Sequence, residues 1–224
     1  MKKLIALCLV LLLAAPAFTV YAESSLQKEL NKELVKQLKK NYKKRKKELE
    51  KDKWKIQGST KTLEVALLEH YTKLYNEDDV AEEIVGTADN FKSTNIGRRQ
   101  AVTNAQMSYA QRAGAMVKAR IVEDMGANAD DVNAEFEHFY AAYEANVQKE
   151  IGMELQESFT LMRPHAGGKS TYDMQIFFIV SENAATRARV RAYENALKES
   201  EAAQRYADRV SQFIQEAVTP VASN

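Results

Sequence analysis

Residues 171–181 read TYDMQIFFIVS, and this stretch decides the class of fold. Apolar side chains recur at Tyr172, Met174, Ile176, Phe178 and Val180, with Asp173 and Gln175 between them. That is the period-two pattern of a strand with one buried face. A second strand pattern, MELQESFTLMR at 153–163, precedes it across PHAGGKS at 164–170. Gly167 and Gly168 in so short a connection predict a hairpin, and therefore antiparallel pairing.

Helical patterns flank the hairpin. NADDVNAEFEHFYAAYEANVQKEIG (128–152) starts at an Asn/Asp cap and spaces Val132, Phe136, Phe139, Tyr143 and Val147 along one helix face. At that spacing Phe136, Phe139, Tyr140 and Tyr143 read as core, not as a platform for a sugar or peptide. Residues 96–125 predict an alanine-rich helix that buries Ala101, Ala105, Ala113, Met116 and Val117 and stops at Gly126. Before it, Ile84–Ala88 reads as a strand, with Gly86 marking a close approach or a bulge. After the hairpin one long helix is expected over about 182–217, with Ala192, Ala196, Ala203, Ala207, Val210 and Ile214 as its seam. Helices and strands in blocks around a hairpin define an α+β fold: an antiparallel sheet packed by long alanine-rich helices.

The N-terminal region has a different texture. MKK, then the apolar run LIALCLVLLLAAPAF, then Val20 and Ala22 form the three parts of a secretory signal peptide cut after Ala22. The single cysteine, Cys8, lies inside the apolar run behind Leu7, so it is not a lipidation site. The exported chain is then free of cysteine, which excludes disulfides, thiol nucleophiles and thiolate metal sites. Ser24 or Ser25 caps a polar helix over 25–52 whose apolar stripe is Leu26, Leu30, Leu34, Leu38 and Tyr42. KWKIQG at 53–58 reads as a short strand, GSTKT as caps, and LEVALLEHYTKLY as a helix with Leu63, Leu67, His70 and Leu74 on one face. The expected organisation is a signal peptide at 1–22, a basic helical arm at 23–52, one α+β domain at 53–218 and a disordered tail at 219–224.

Net charge is +1 over the whole sequence, but residues 28–55 carry 13 Lys/Arg against 5 Asp/Glu. A cationic arm therefore sits on an otherwise acidic exported protein. Its densest part is Lys39, Lys40, Lys43, Lys44, Arg45, Lys46 and Lys47. Export removes nucleic acid as a partner. What remains is an anionic surface (lipid head groups or lipopolysaccharide phosphates), an acidic envelope protein, or the acidic domain of this chain or of a second copy in a homo-oligomer. Trp54, flanked by Lys53 and Lys55, is a candidate partner anchor, with packing over the core as the plainer reading.

Catalytic and metal signatures are missing. His70, His138 and His165 have no metal-ligand spacing, no G-x-S-x-G occurs, AGGK at 166–169 lacks phosphate-loop spacing, and DDVNAEFEHF lacks calcium-loop spacing. No cofactor and no catalytic residue is expected.

IVGTADNFKSTNIGRRQAVTNAQMSYAQRAGAMVKARI (84–121), with small residues at Ala101, Asn104, Ala105, Ala110 and Ala113, resembles the strand and alanine-rich helix of small bacterial envelope lipoproteins of the twenty-kilodalton outer-membrane antigen type. VQKEIGMELQESFTLMR and GGKSTYDMQIFFIVS are similar to the later strand pair of that domain, so the resemblance spans about 84–217. KWKIQGSTKTLEVALLEHYTKL also resembles exported proteins of gut-type bacteria with a lysine-rich leading helix. The resemblance implies a compact α+β domain facing the periplasm or cell surface, without catalytic residues; the missing lipidation cysteine is a departure from it. The expected function is non-catalytic binding or assembly in the envelope or periplasm. The alternative is a small-ligand binder or hydrolase with a pocket between sheet and helices.

Overall fold

The computed structural model describes residues 15–75, 81–125 and 129–205, with side chains except at 15–28, 30, 31, 34, 124, 125, 129–132, 201 and 202. The Leu26, Leu30 and Leu34 part of the stripe, the Asp130–Asp131 cap and Val132 thus fall outside the described side chains. Residues 1–14 of the expected signal peptide, including Cys8, the Gly126 stop, Ala207, Val210, Ile214 and the tail at 219–224 fall outside the described residues. The chain divides into two units, Met1–Glu48 and Leu49–Asn224.

The first unit holds most of helix α1, Ala15–Lys51. Its start lies ahead of the expected serine cap. No glycine or proline interrupts Ala17–Lys51, so nothing in the chain obliges the helix to begin at Ser24 or Ser25.

In the second unit, β1 (Lys55–Gln57), α2 (Leu63–Leu74), β2 (Ala81–Phe91), α3 (Thr94–Met125), α4 (Ala129–Ile151), β3 (Gln156–Pro164), β4 (Tyr172–Ser181), α5 (Glu182–Leu197) and α6 (Glu201–Arg205) follow in order. The fold is α+β. The strands form one antiparallel sheet in the order β1-β3-β4-β2. The hairpin is β3–β4, registered by Phe159 opposite Phe177 and Met162 opposite Met174. Gly167 turns its loop at φ 80°, a conformation glycine adopts without a Cβ penalty.

On one sheet face, Met174, Ile176, Phe178 and Val180 of β4 and Ile84 and Ala88 of β2 meet α3, α4 and α5. Phe136, Phe139, Tyr143 and Val147 of α4 are fully buried there, as their spacing predicts, with Phe139 stacked on Tyr143 at 5.9 Å. Gly86 is a close approach: a Cβ there would lie 2.0 Å from the Ala101 carbonyl oxygen. That contact lets α3 rest directly on β2. The bulge in β2 falls later, between Ala88 and Phe91, where Asn90 takes φ 55°.

The other face is covered by α2, capped by Thr62, whose hydroxyl accepts from the Val65 amide. His70 meets Phe159 and Phe177 edge-on, and those rings stack at 4.3 Å. With helices on both sides, β4 is buried continuously from Ile176 to Val180 and not on alternate residues.

Three further expectations change. Met116 is 54% exposed, because α3 turns it away from the core formed by Ala113 and Val117. The C-terminal helix breaks after Leu197: Ser200 caps α6 by accepting from the Ala203 amide at 3.2 Å. The first strand begins at Lys55, so Trp54 precedes it.

Candidate functional site

Tyr109, Arg112, Ala113, Met116 and Val117 follow i, i+3, i+4, i+7, i+8 spacing and make one face of α3. With Glu82 of β2, Tyr143 of α4 and Glu182 and Arg189 of α5 they line a cleft of about 190 Å³. Arg189 stands on the small-residue seam of α5 among Ala185, Ala188 and Ala192 and is 9% exposed. Its Nη1 donates to the Tyr109 hydroxyl at 2.6 Å, and its Nη2 to the Glu182 carboxylate and, at 3.2 Å, to the Thr186 hydroxyl. Arg112 donates to Glu82. Two arginines and two carboxylates thus close into two pairs, leaving the cleft without net charge.

Two donors in this wall have no partner: Arg189 Nε and the Tyr143 hydroxyl. A buried polar group left unsatisfied costs about 1–3 kcal/mol, so both call for an explanation. Burial raises Tyr143 above the ordinary phenol range against the opposing Arg189 charge. Burial likewise raises Tyr109, with Arg189 opposing it. Both phenols therefore stay protonated at neutral pH.

The charged residues singled out in the sequence lie on α1. Lys39, Lys40, Lys43, Lys44 and Lys47 are exposed, while Arg45 and Lys46 are half-buried with partners of their own. Helical geometry puts Lys36, Lys39, Lys40, Lys43, Lys44 and Lys47 on one side, with Leu38, Tyr42 and Leu49 opposite. Lys44 lies 4.0 Å from Glu48. Lys39, Lys40, Lys43 and Lys47 form no ion pair with any described residue.

Trp54 is 7% exposed, and the Arg163 guanidinium lies over its ring at 4.4 Å. Arg163 in turn donates from Nε to Asp173 at 3.1 Å. Asp173 also takes His165 Nδ1 at 2.6 Å and the Asn90 amide at 3.2 Å. Burial works to raise Asp173, but His165, the Asn90 amide and Arg163 together hold it below the usual carboxylate range. The residue read as the polar side of a strand is thus a buried tie between β4, the hairpin loop and the β2 bulge.

The sequence marks Ala113, Met116, Val117 and Tyr143 only as core candidates and does not reveal the cleft, because its residues come from four elements spanning Glu82 to Arg189. One signal was present: an arginine on an alanine seam. The three histidines do not converge. His70 is buried on the sheet-facing side of α2 with Nε2 2.7 Å from Glu83, His138 is exposed on α4, and His165 is in the hairpin loop. Among the described residues no helix is long and apolar enough to cross a membrane. The site is thus a neutral, arginine-buttressed cleft on an α+β unit, with a lysine face carried separately on α1. The chain matches no protein-family model, no curated protein and no solved structure.

Proposed function

We propose that this chain is an exported, non-catalytic binding protein of the cell envelope or periplasm, held to an anionic surface by the lysine face of α1. The observation that carries the reading is four exposed lysines, Lys39, Lys40, Lys43 and Lys47, with no ion pair among the described residues. The signal-type N-terminus and the resemblance to envelope lipoproteins support the location. Each lysine near a membrane surface contributes about 1 kcal/mol, and the attraction fades within a Debye length. Vesicle flotation tests the reading. The protein should float with phosphatidylglycerol-containing vesicles at low salt, stay behind with neutral vesicles, and be released at about 0.5 M salt. A protein that ignores anionic vesicles at low salt overturns it.

A second reading has its own observation. The cleft ringed by Tyr109, Arg112, Tyr143 and Arg189 supports a small-ligand-binding role. Both its carboxylates are held by arginines and none of its lining residues is a histidine, which favours binding over hydrolysis. Ligand titration of the folded protein tests it: resonances of α3 and α5 should move together.

A further inference from the structure

We infer that the cleft between α3, β2 and the start of α5 binds a small uncharged molecule with an apolar body and one hydrogen-bond acceptor, a carbonyl above all. This rests on the second reading and adds the ligand class.

Three observations lead to it. The first is polarity. Arg189 Nε can only donate, and it is buried without an acceptor in a wall that also holds the unpartnered Tyr143 hydroxyl. Tyr109 accepts from Arg189 and keeps its own proton to give. Arg189 Nε is the one buried group in this wall that can only donate and has no partner, so the complementary ligand brings an acceptor.

Charge is the second. Glu82 is held by Arg112 and Glu182 by Arg189. An anion or a cation entering would bring an uncompensated charge into a half-closed apolar site, whereas a neutral acceptor would not. Size and lining are the third. A volume of about 190 Å³ holds roughly six waters, or a molecule of about ten non-hydrogen atoms. Ala113, Val117 and the two tyrosine rings supply apolar walls. Met116, unbranched and 54% exposed, is the wall able to move aside and open the inner donors to a ligand.

Matched probes test this on the full chain: benzamide, benzoate, benzylamine and ethylbenzene, titrated by amide chemical-shift mapping. Benzamide should bind at the cleft with Kd about 1 mM, a reach set by its few atoms. Benzoate and benzylamine should be about tenfold weaker or worse, for the desolvation of their charge. Tyr143→Phe should weaken benzamide by about fivefold and leave ethylbenzene unchanged. A general loosening of the fold would move both. Ala113→Leu should abolish binding of all four by filling the space. Benzoate binding as tightly as benzamide, or a Tyr143→Phe variant that leaves benzamide affinity unchanged, overturns the ligand class while the cleft stays a binding site. If no probe shifts residues of α3 or α5, the inference and the second reading fall together.

Discussion

Charge is arranged in opposite ways in two parts of this chain. On α1 it belongs mostly to lysines turned to solvent, with Lys36–Glu33 and Lys44–Glu48 as local pairs one helical turn apart and, among the described side chains, only Arg45 and Lys46 half-buried. In the unit from Leu49 onward it belongs largely to arginines that hold carboxylates distant in sequence. Arg98 of α3 holds Glu157 of β3, and Arg112 of α3 holds Glu82 of β2. Arg191 of α5 reaches Glu150 at 2.6 Å and Glu154 at 2.8 Å, and Arg205 of α6 reaches Glu135 of α4 at 2.9 Å. The chemistry follows the division. A planar guanidinium grips carboxylates in fixed geometry, whereas an ammonium on a flexible stem is a hydrated point charge suited to diffuse surfaces. One region uses charge to set how its layers dock; the other keeps most of its lysines in solvent.

Substitutions that break the packing of the folded unit should have the largest effects. Gly86→Ala places a methyl against the backbone carbonyl of Ala101, which no side-chain rotation can relieve. A loss of about 4 kcal/mol, or failure to fold, is expected by thermal or denaturant unfolding. A loss below about 1 kcal/mol would mean that α3 does not rest on β2 as described.

Asp173→Asn comes next. Removing the charge leaves Arg163 and His165 without their common partner, for an expected loss of about 2–3 kcal/mol, or roughly 5–10 °C in midpoint. The pH dependence has a definite sign. The Asp173 carboxyl is held below its ordinary value when folded, so its stabilisation is present above the unfolded carboxylate pKa of about 4 and is lost as pH falls through the lowered value. The gap between wild type and Asp173→Asn should therefore narrow only in acid. A gap unchanged from neutral pH down to about pH 2 would contradict the assignment.

Arg191→Ala should cost less, about 1–2 kcal/mol, mainly because Glu150 is buried and loses its donor. Smallest of all should be Lys43→Gln on α1, within about 0.5 kcal/mol of wild type.

How much of this was legible in the sequence differs between the same two parts. Local patterns read well. The β3–β4 hairpin followed from TYDMQIFFIVS and its glycine loop, and the α4 core from the spacing of Phe136, Phe139 and Tyr143; Gly86 marked a close approach or a bulge, and only the packing of α3 decides for the first. Period-two reasoning stopped short at Phe177 and Ile179, because α2 covers the second sheet face and gives their side a core of its own. Met116 looked buried by composition, yet whether a methionine faces core or solvent depends on the exact rotation of α3. The break at Ser200 had a visible cap signal that a continuous alanine seam concealed. The cleft was the least legible feature. Tyr109, Tyr143 and Arg189 are brought together only by the docking of three helices, and no local pattern records that. The basic run was plain from composition, while which of its members share one exposed face, and that Arg45 and Lys46 do not, needed the helical geometry of α1.

The central claim is that the lysine face of α1 (Lys39, Lys40, Lys43, Lys44 and Lys47) is directed outward and contributes nothing to the fold. It is tested most directly by replacing Lys39, Lys40, Lys43, Lys44 and Lys47 together with glutamine and measuring two properties of the same sample. An unfolding midpoint within about 2 °C of wild type is expected, together with loss of flotation on phosphatidylglycerol vesicles. Undiminished vesicle binding, or a midpoint lower by about 10 °C, would contradict it.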